Sequence, residues 1–179
     1  MSQLMPSLIV DAPNQQRRAL LLATLGLGLT ALAPASAEAA RLVLGRPAPP
    51  LVLDTLDGRH IASNELVGQL VILTFWATYC DPCREELPLL SAFAERHAKQ
   101  GLQVLGFCLD HPDNIEEVKQ VAKTLSFPVG LLPNQYAGEY GRIWRMPVSF
   151  VIDRSGRLVD NETHRHTPNA TIFTGILIR

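Results

Sequence analysis

The sequence predicts an α/β fold: a mixed β-sheet sandwiched by helices, with an N-terminal β-hairpin and a central αβ insertion. Three observations carry that expectation. Short apolar, β-branched runs alternate with amphipathic helical stretches, the pattern of strand–helix–strand units. The run VILTFW, ending at Trp76, is apolar almost without a break, as a strand covered on both faces has to be. Two further strand-like runs meet across Asp153-Arg154-Ser155-Gly156, and this turn closes the sheet with a hairpin.

In chain order, residues 41–50 are a Pro-rich entry. Leu51–Leu53 and His60–Ala62 flank Asp57-Gly58, a turn pair that tolerates positive φ and therefore marks a hairpin. Gln69 to Trp76 is the central strand. A helix is expected over 82–100: Pro82 suits a first turn, where its missing N–H costs nothing. Leu87, Leu90 and Ala94 form its apolar face, Pro88 should kink it, and Gly101 should cap its C-terminus. Val104–Leu109 is a second buried strand. Residues 115–125 form a second helix, with Ile115, Val118, Ala122 and Leu125 on one side. A short strand over 128–132, a short helix over 135–140, a strand over 148–152 and a last strand over 157–159 complete the layout. The tail after Val159 is short and rich in β-branched residues; at most a short helix fits there, over 168–177.

Composition bounds the function classes. With 47% hydrophobic residues the chain is too apolar for disorder, and its formal net charge of −1 comes with no basic stripe. Nucleic acid is thus not an expected partner. Residues 1–37 are expected to be an export signal: Arg17-Arg18, an Ala/Leu/Gly-rich run from Ala19 to Ala33, and the small-residue exit Ala35-Ser36-Ala37. That run, about 15 residues, is short of the roughly 20 needed to span a bilayer, although an uncleaved anchor remains an alternative. The paired arginines resemble a twin-arginine signal, but Gln16 stands where such signals usually carry Ser or Thr, so the export route stays open. Residues 38–179 are expected to be one domain, exported and periplasmic.

The chemistry centres on Cys80-Asp81-Pro82-Cys83, a CxxC directly after a buried strand and at the opening of a helix. There the backbone N–H groups and the positive end of the helix favour thiolate over thiol. Cys80 is placed to attack a foreign disulfide, and Cys83, about one turn on, to resolve the mixed disulfide. A purely structural disulfide closing so small a loop constrains the unfolded chain little. A zinc site needs about four ligands; only Cys108 and the distant His164 and His166 are on offer.

These residues, with the segments around them, resemble the TlpA/ResA-type thiol-disulfide oxidoreductases of the thioredoxin superfamily, the redoxin or AhpC-TSA-like proteins. The likeness rests on Asp57-Gly58, Leu66 and Gly68, FWAT before the cysteines, Cys80 through Pro88, Gly101-Leu102-Gln103-Val104, Tyr140-Gly141, the stretch Met146 to Asp153, and Gly156. It covers residues 44 to 159. The resemblance implies a thioredoxin fold and a cis Pro147 beside the cysteines, with Met146 offering backbone groups to a client strand. It also implies that Glu86, at i+3 from Cys83, handles the proton; as a first-turn acid, Glu86 alternatively only favours the helix dipole. Cytoplasmic thioredoxins carry a buried acid where Thr74 stands, so that role has to fall elsewhere here. Asp81, beside Cys80, opposes the thiolate and predicts a reductant rather than an oxidant.

Trp76, Tyr79 and Trp144 are expected to line the site while also packing. Cys108 is expected to be an inert core thiol, with a third redox partner as the alternative. No cofactor or metal is expected, and the chain should act as a monomer. The implied activity is reduction of disulfides in client proteins, apocytochrome c and oxidase copper-centre proteins among them, with electrons from a membrane thiol donor. Two rivals stand beside it. One is a peroxiredoxin-like peroxidase, for which Thr78 would polarise peroxide. The other is a copper metallochaperone using the thiols with His164 or His166.

Overall fold

The computed structural model describes residues 42–162. The expected export signal, His164, His166 and the expected helix over 168–177 lie outside the described residues. Within them, β1 (Val52–Asp54) and β2 (His60–Ala62) pair antiparallel as the expected hairpin. Its connection is wider than an Asp57-Gly58 two-residue turn. The Thr55 N–H donates to the Arg59 carbonyl at 2.9 Å, and of the two turn residues only Gly58 has positive φ, +85°. The Thr55 hydroxyl organises this loop, donating to Asp57 and accepting from the Arg59 N–H.

The main sheet is built from β3 (Leu70–Trp76), β4 (Leu102–Cys108), β5 (Val129–Leu131), β6 (Val148–Ile152) and β7 (Leu158–Glu162), in the order β5-β4-β3-β6-β7. Strands β3, β4 and β5 run parallel; β6 is antiparallel to β3, and β7 to β6. Every residue of β3 is buried, which explains its unbroken apolar run: parallel central strands are covered on both faces. On one face Leu70, Ile72 and Trp76 pack with Leu87, Leu90 and Ala94 of α1 (Asp81–His97) and with Val118 of α2 (Ile115–Ala122). On the other face Val71, Leu73 and Phe75 pack with Phe107 and Phe150, with Leu51 and Leu53 at the hairpin, and with Tyr140 and Ile143. Among the described residues both helices therefore cover one face, while the hairpin and the 137–143 segment cover the other.

Helix α1 continues past Pro88 and is finished by a 3₁₀ turn, Ala98–Gln100. Gly101 closes it as expected, with φ +79° and its N–H on the Ala98 carbonyl at 3.0 Å. Boundaries move by a few residues: β4 starts at Leu102 rather than Val104, α2 ends at Ala122 rather than 125, and the last strand extends to Glu162 rather than 159.

The expected helix over 135–140 is not formed. Gln135 takes φ 56°, Tyr136 bridges Arg142 antiparallel, and the Ile143 N–H donates to the Gln135 carbonyl at 2.8 Å. A single 3₁₀ turn, Gly138–Tyr140, makes the reversal. Gly138 and Gly141, both with positive φ, favour this reversal over a helix.

Candidate active site

Strand β3 delivers its last residue, Trp76, to the C-terminal edge of the parallel strands, and the chain then turns into α1. The Cys80 N–H closes that turn on the Ala77 carbonyl at 3.2 Å. Cys80 is the N-cap of α1, with extended backbone (φ −95°, ψ 99°), and its Sγ accepts the Cys83 N–H at 3.3 Å. A capping atom normally satisfies one of the unpaired first-turn N–H groups; here that atom is the sulfur. Pro82 removes one of those donors outright. The two cysteines form a disulfide, with Cα atoms 5.3 Å apart. They are not equivalent: Cys80 retains 9% exposure and Cys83 retains none.

Around this pair the expected residues divide. Glu86 is half-buried on α1, and Asp81 is exposed beside Cys80. The Met146-Pro147 bond is cis, and Met146 packs against the same core cluster that holds Cys80 and Cys83. Tyr79 and Trp144 are largely exposed, and the Arg145 guanidinium lies 4.3 Å over the Trp144 ring. Trp76 is instead a core residue, 1% exposed, whose indole N–H has no hydrogen-bond partner among the described residues. Thr74 is buried in mid-sheet between Gly106 and Ser149, so no acid occupies that position.

One acid near the pair escaped the sequence reading. Asp110, fully buried, accepts the Thr78 N–H at 2.8 Å, the Thr78 hydroxyl, and the Cys108 S–H at 3.1 Å. Its only signal in the sequence was an acid placed directly after a buried apolar strand. The Thr78 hydroxyl proton is thus directed at Asp110 rather than at an incoming peroxide. Cys108 is buried, and burial pushes its thiol far above the usual range, with the Asp110 carboxylate adding to the effect. Among the described residues no group of three or more His, Cys, Asp or Glu side chains could hold a metal ion, and no helix is long and apolar enough to cross a membrane.

Comparison with known proteins points to thiol-disulfide oxidoreductases. The family model described as AhpC/TSA family matches residues 44–161. The thiol-disulfide oxidoreductase ResA of Geobacillus thermodenitrificans is 32% identical over 141 residues, covering 78% of this chain and 80% of that protein. ResA of Bacillus anthracis is 30% identical over 125 residues, covering 69% and 72%. Among solved structures, a thiol:disulfide interchange protein of the thioredoxin family from Chlorobium tepidum superposes with a TM-score of 0.60 at 26% identity, covering 78% of this chain and 97% of that one.

Proposed function

We propose, from the premise that the chain belongs to the AhpC/TSA family and is a thioredoxin-fold thiol-disulfide oxidoreductase, that it works outside the cytoplasm as a reductase of client-protein disulfides. One observation carries the reading: Cys80, the less buried of the pair at 9% exposure, caps a helix N-terminus with its sulfur, and the fully buried Cys83 is joined to it.

In the reduced protein the Cys80 thiolate attacks one sulfur of a client disulfide. A Cys80–client bond forms, the client S–S bond breaks, and the other client sulfur leaves as thiolate. Cys83 then gives up its proton and attacks the Cys80 sulfur. The Cys80–Cys83 disulfide forms, the second client sulfur leaves, and two electrons have passed to the client. Glu86, half-buried one turn beyond Cys83, takes the Cys83 proton. Tyr79, Trp144 and Met146 receive the client segment, and Pro147 aligns it. A membrane-bound thiol donor returns the electrons. Apocytochrome c and copper-centre proteins of respiratory oxidases fit as clients, since both need reduced cysteine pairs before metal or haem attachment.

Replacing Cys83 with Ala tests the reading, because it leaves the attacking sulfur without its resolving partner. Expressed with its leader in a Gram-negative host, the variant should accumulate in the periplasmic fraction as mixed disulfides through Cys80. Mass spectrometry of the captured species should find haem- or copper-site cysteines. Capture of no protein, or retention of the chain in the cytoplasm, would overturn it.

A further inference from the structure

The registers of β3 and β4 place Trp76 opposite Cys108, and the Leu109 N–H extends the pairing onto the Trp76 carbonyl at 2.8 Å. Two residues past each strand, the same offset brings Thr78 and Asp110 together. We propose that Asp110 is a positioning residue: through Thr78 it clamps the turn that holds the Cys80 sulfur on the N-terminus of α1. The proposal rests on the oxidoreductase reading and extends it to a residue outside the CxxC.

Both carboxylate oxygens are used on one residue. Oδ2 accepts the Thr78 N–H at 2.8 Å, Oδ1 accepts the Thr78 hydroxyl, and the Cys108 S–H reaches Oδ2 at 3.1 Å. Asp110 has no exposure, and among the described residues it belongs to no ion pair. A buried carboxylate without a cation is costly unless its oxygens are filled. Here they are filled by donors whose arrangement fixes both the backbone and the side chain of Thr78. Thr78 lies inside the turn closed by the Cys80 N–H on the Ala77 carbonyl. Loosening it lets Cys80 leave the cap position, where its sulfur meets the Cys83 N–H and the helix dipole.

The test compares Asp110→Ala, Asp110→Asn, Thr78→Val and Thr78→Ser, each reduced and still folded by circular dichroism, by the pH profile of Cys80 alkylation with iodoacetamide. The charged groups nearest Cys80 in sequence, Asp81, Arg84 and Glu85, and Arg145 before Met146 are the same in every variant. Asp110→Ala should raise the midpoint by about one pH unit, which is about tenfold slower alkylation at a fixed pH below it. Thr78→Val should raise it by about half a unit, about threefold. Asp110→Asn should keep the wild-type midpoint, since its amide oxygen can accept the Thr78 N–H while its NH₂ donates to the Thr78 hydroxyl; Thr78→Ser keeps both donors.

A midpoint lowered in both Asp110 variants would mean that the acid acts only by its charge, and would overturn the clamp. Unchanged midpoints with lowered melting temperatures would mean a purely structural residue, and would overturn it equally. If Asp110→Ala does not fold, Thr78→Val against Asp110→Asn decides by the same signs. Turnover of an oxidised dithiol peptide by the wild type runs alongside. Its absence counts against the oxidoreductase reading, while alkylation, which involves no client, still decides the clamp.

Discussion

The backbone N–H of Cys83 points at the sulfur of Cys80 across 3.3 Å. The resolving residue thus helps hold the attacking one, and it does so with a backbone group that survives reduction. With the helix N-terminus behind it, the Cys80 sulfur is the one of the pair placed to react as a thiolate once the disulfide is opened. Cys83, without exposure, should not share this reactivity. Brief iodoacetamide treatment of the reduced native protein at neutral pH should modify Cys80 at least about tenfold faster than Cys83. Equal rates, or a shielded Cys80, would remove the basis for its role as nucleophile.

Cys108 should be silent. Its thiol is buried and raised in pKa, chiefly by that burial, and a thiol is a poor nucleophile compared with its thiolate. It should therefore resist alkylation in the folded, reduced protein and react fully once urea unfolds the chain. Rapid native labelling of Cys108, followed by mass spectrometry, would instead make it a third redox participant.

Gly130 is required by the approach of the hairpin to the sheet. A Cβ there would overlap the Asp54 carbonyl oxygen and come within 2.9 Å of Leu53 Cδ1. The backbone of β1 cannot withdraw freely, because Thr55 bridges Gly130 and the Leu56 N–H is held by the Val129 carbonyl at 2.8 Å. Gly130→Ala should cost about 1–3 kcal/mol of stability, the usual range for overpacking. Urea unfolding gives the value, and an unchanged midpoint would show that the hairpin sits less tightly than described.

How far the sequence could be read follows from the range of each interaction. Strand β3, the opening of α1 and the Gly101 cap were legible because each rests on local physics: an apolar run, a tolerated Pro82, a glycine at positive φ. CxxC was legible as redox chemistry for the same reason, since its position at a helix start is a local property. The Asp110–Thr78 contact was not, because it joins residues 32 positions apart through parallel strand pairing. Residues 135–140 misled, since the bridge from Tyr136 to Arg142 outweighed their local pattern. The chain past Val159 reads as polar (Asp160, Asn161, Glu162), which hid the rest of β7, the last strand in the sheet order.

Asp57 gives a signed dependence on acid. Hydrogen bonds from Arg59 and from the Thr55 hydroxyl lower its pKa from 3.8 to about 2. A carboxyl with a lowered folded pKa adds stability that is present above its unfolded pKa and lost as pH falls through the folded one. The stability difference between wild type and Asp57→Asn should therefore be constant near pH 6 and shrink between about pH 4 and pH 2. The group is fully exposed, so the difference should be small and should fall further at about 1 M salt. Urea midpoints across that range check it; a difference that grows on acidification would reverse the sign.

Asp81 should set the direction of electron flow. It is an exposed acid at the first position of α1, adjacent to the sulfur that becomes the thiolate. Its charge favours the helix N-terminus but opposes a second negative charge beside it. Opposing the thiolate weakens the reduced state, and a weaker reduced state makes the dithiol the better electron donor. The reduction potential, measured against glutathione, should thus lie nearer the thioredoxin value of about −270 mV than the DsbA value of about −120 mV. Asp81→Asn relieves the opposition and should move the potential upward, by on the order of 10–20 mV given how much solvent screens an exposed charge. The same variant should lower the pH midpoint of Cys80 alkylation, since both shifts have one cause. A potential near that of DsbA in the wild type would make the protein an oxidant, and a downward move in Asp81→Asn would show that Asp81 does not oppose the thiolate.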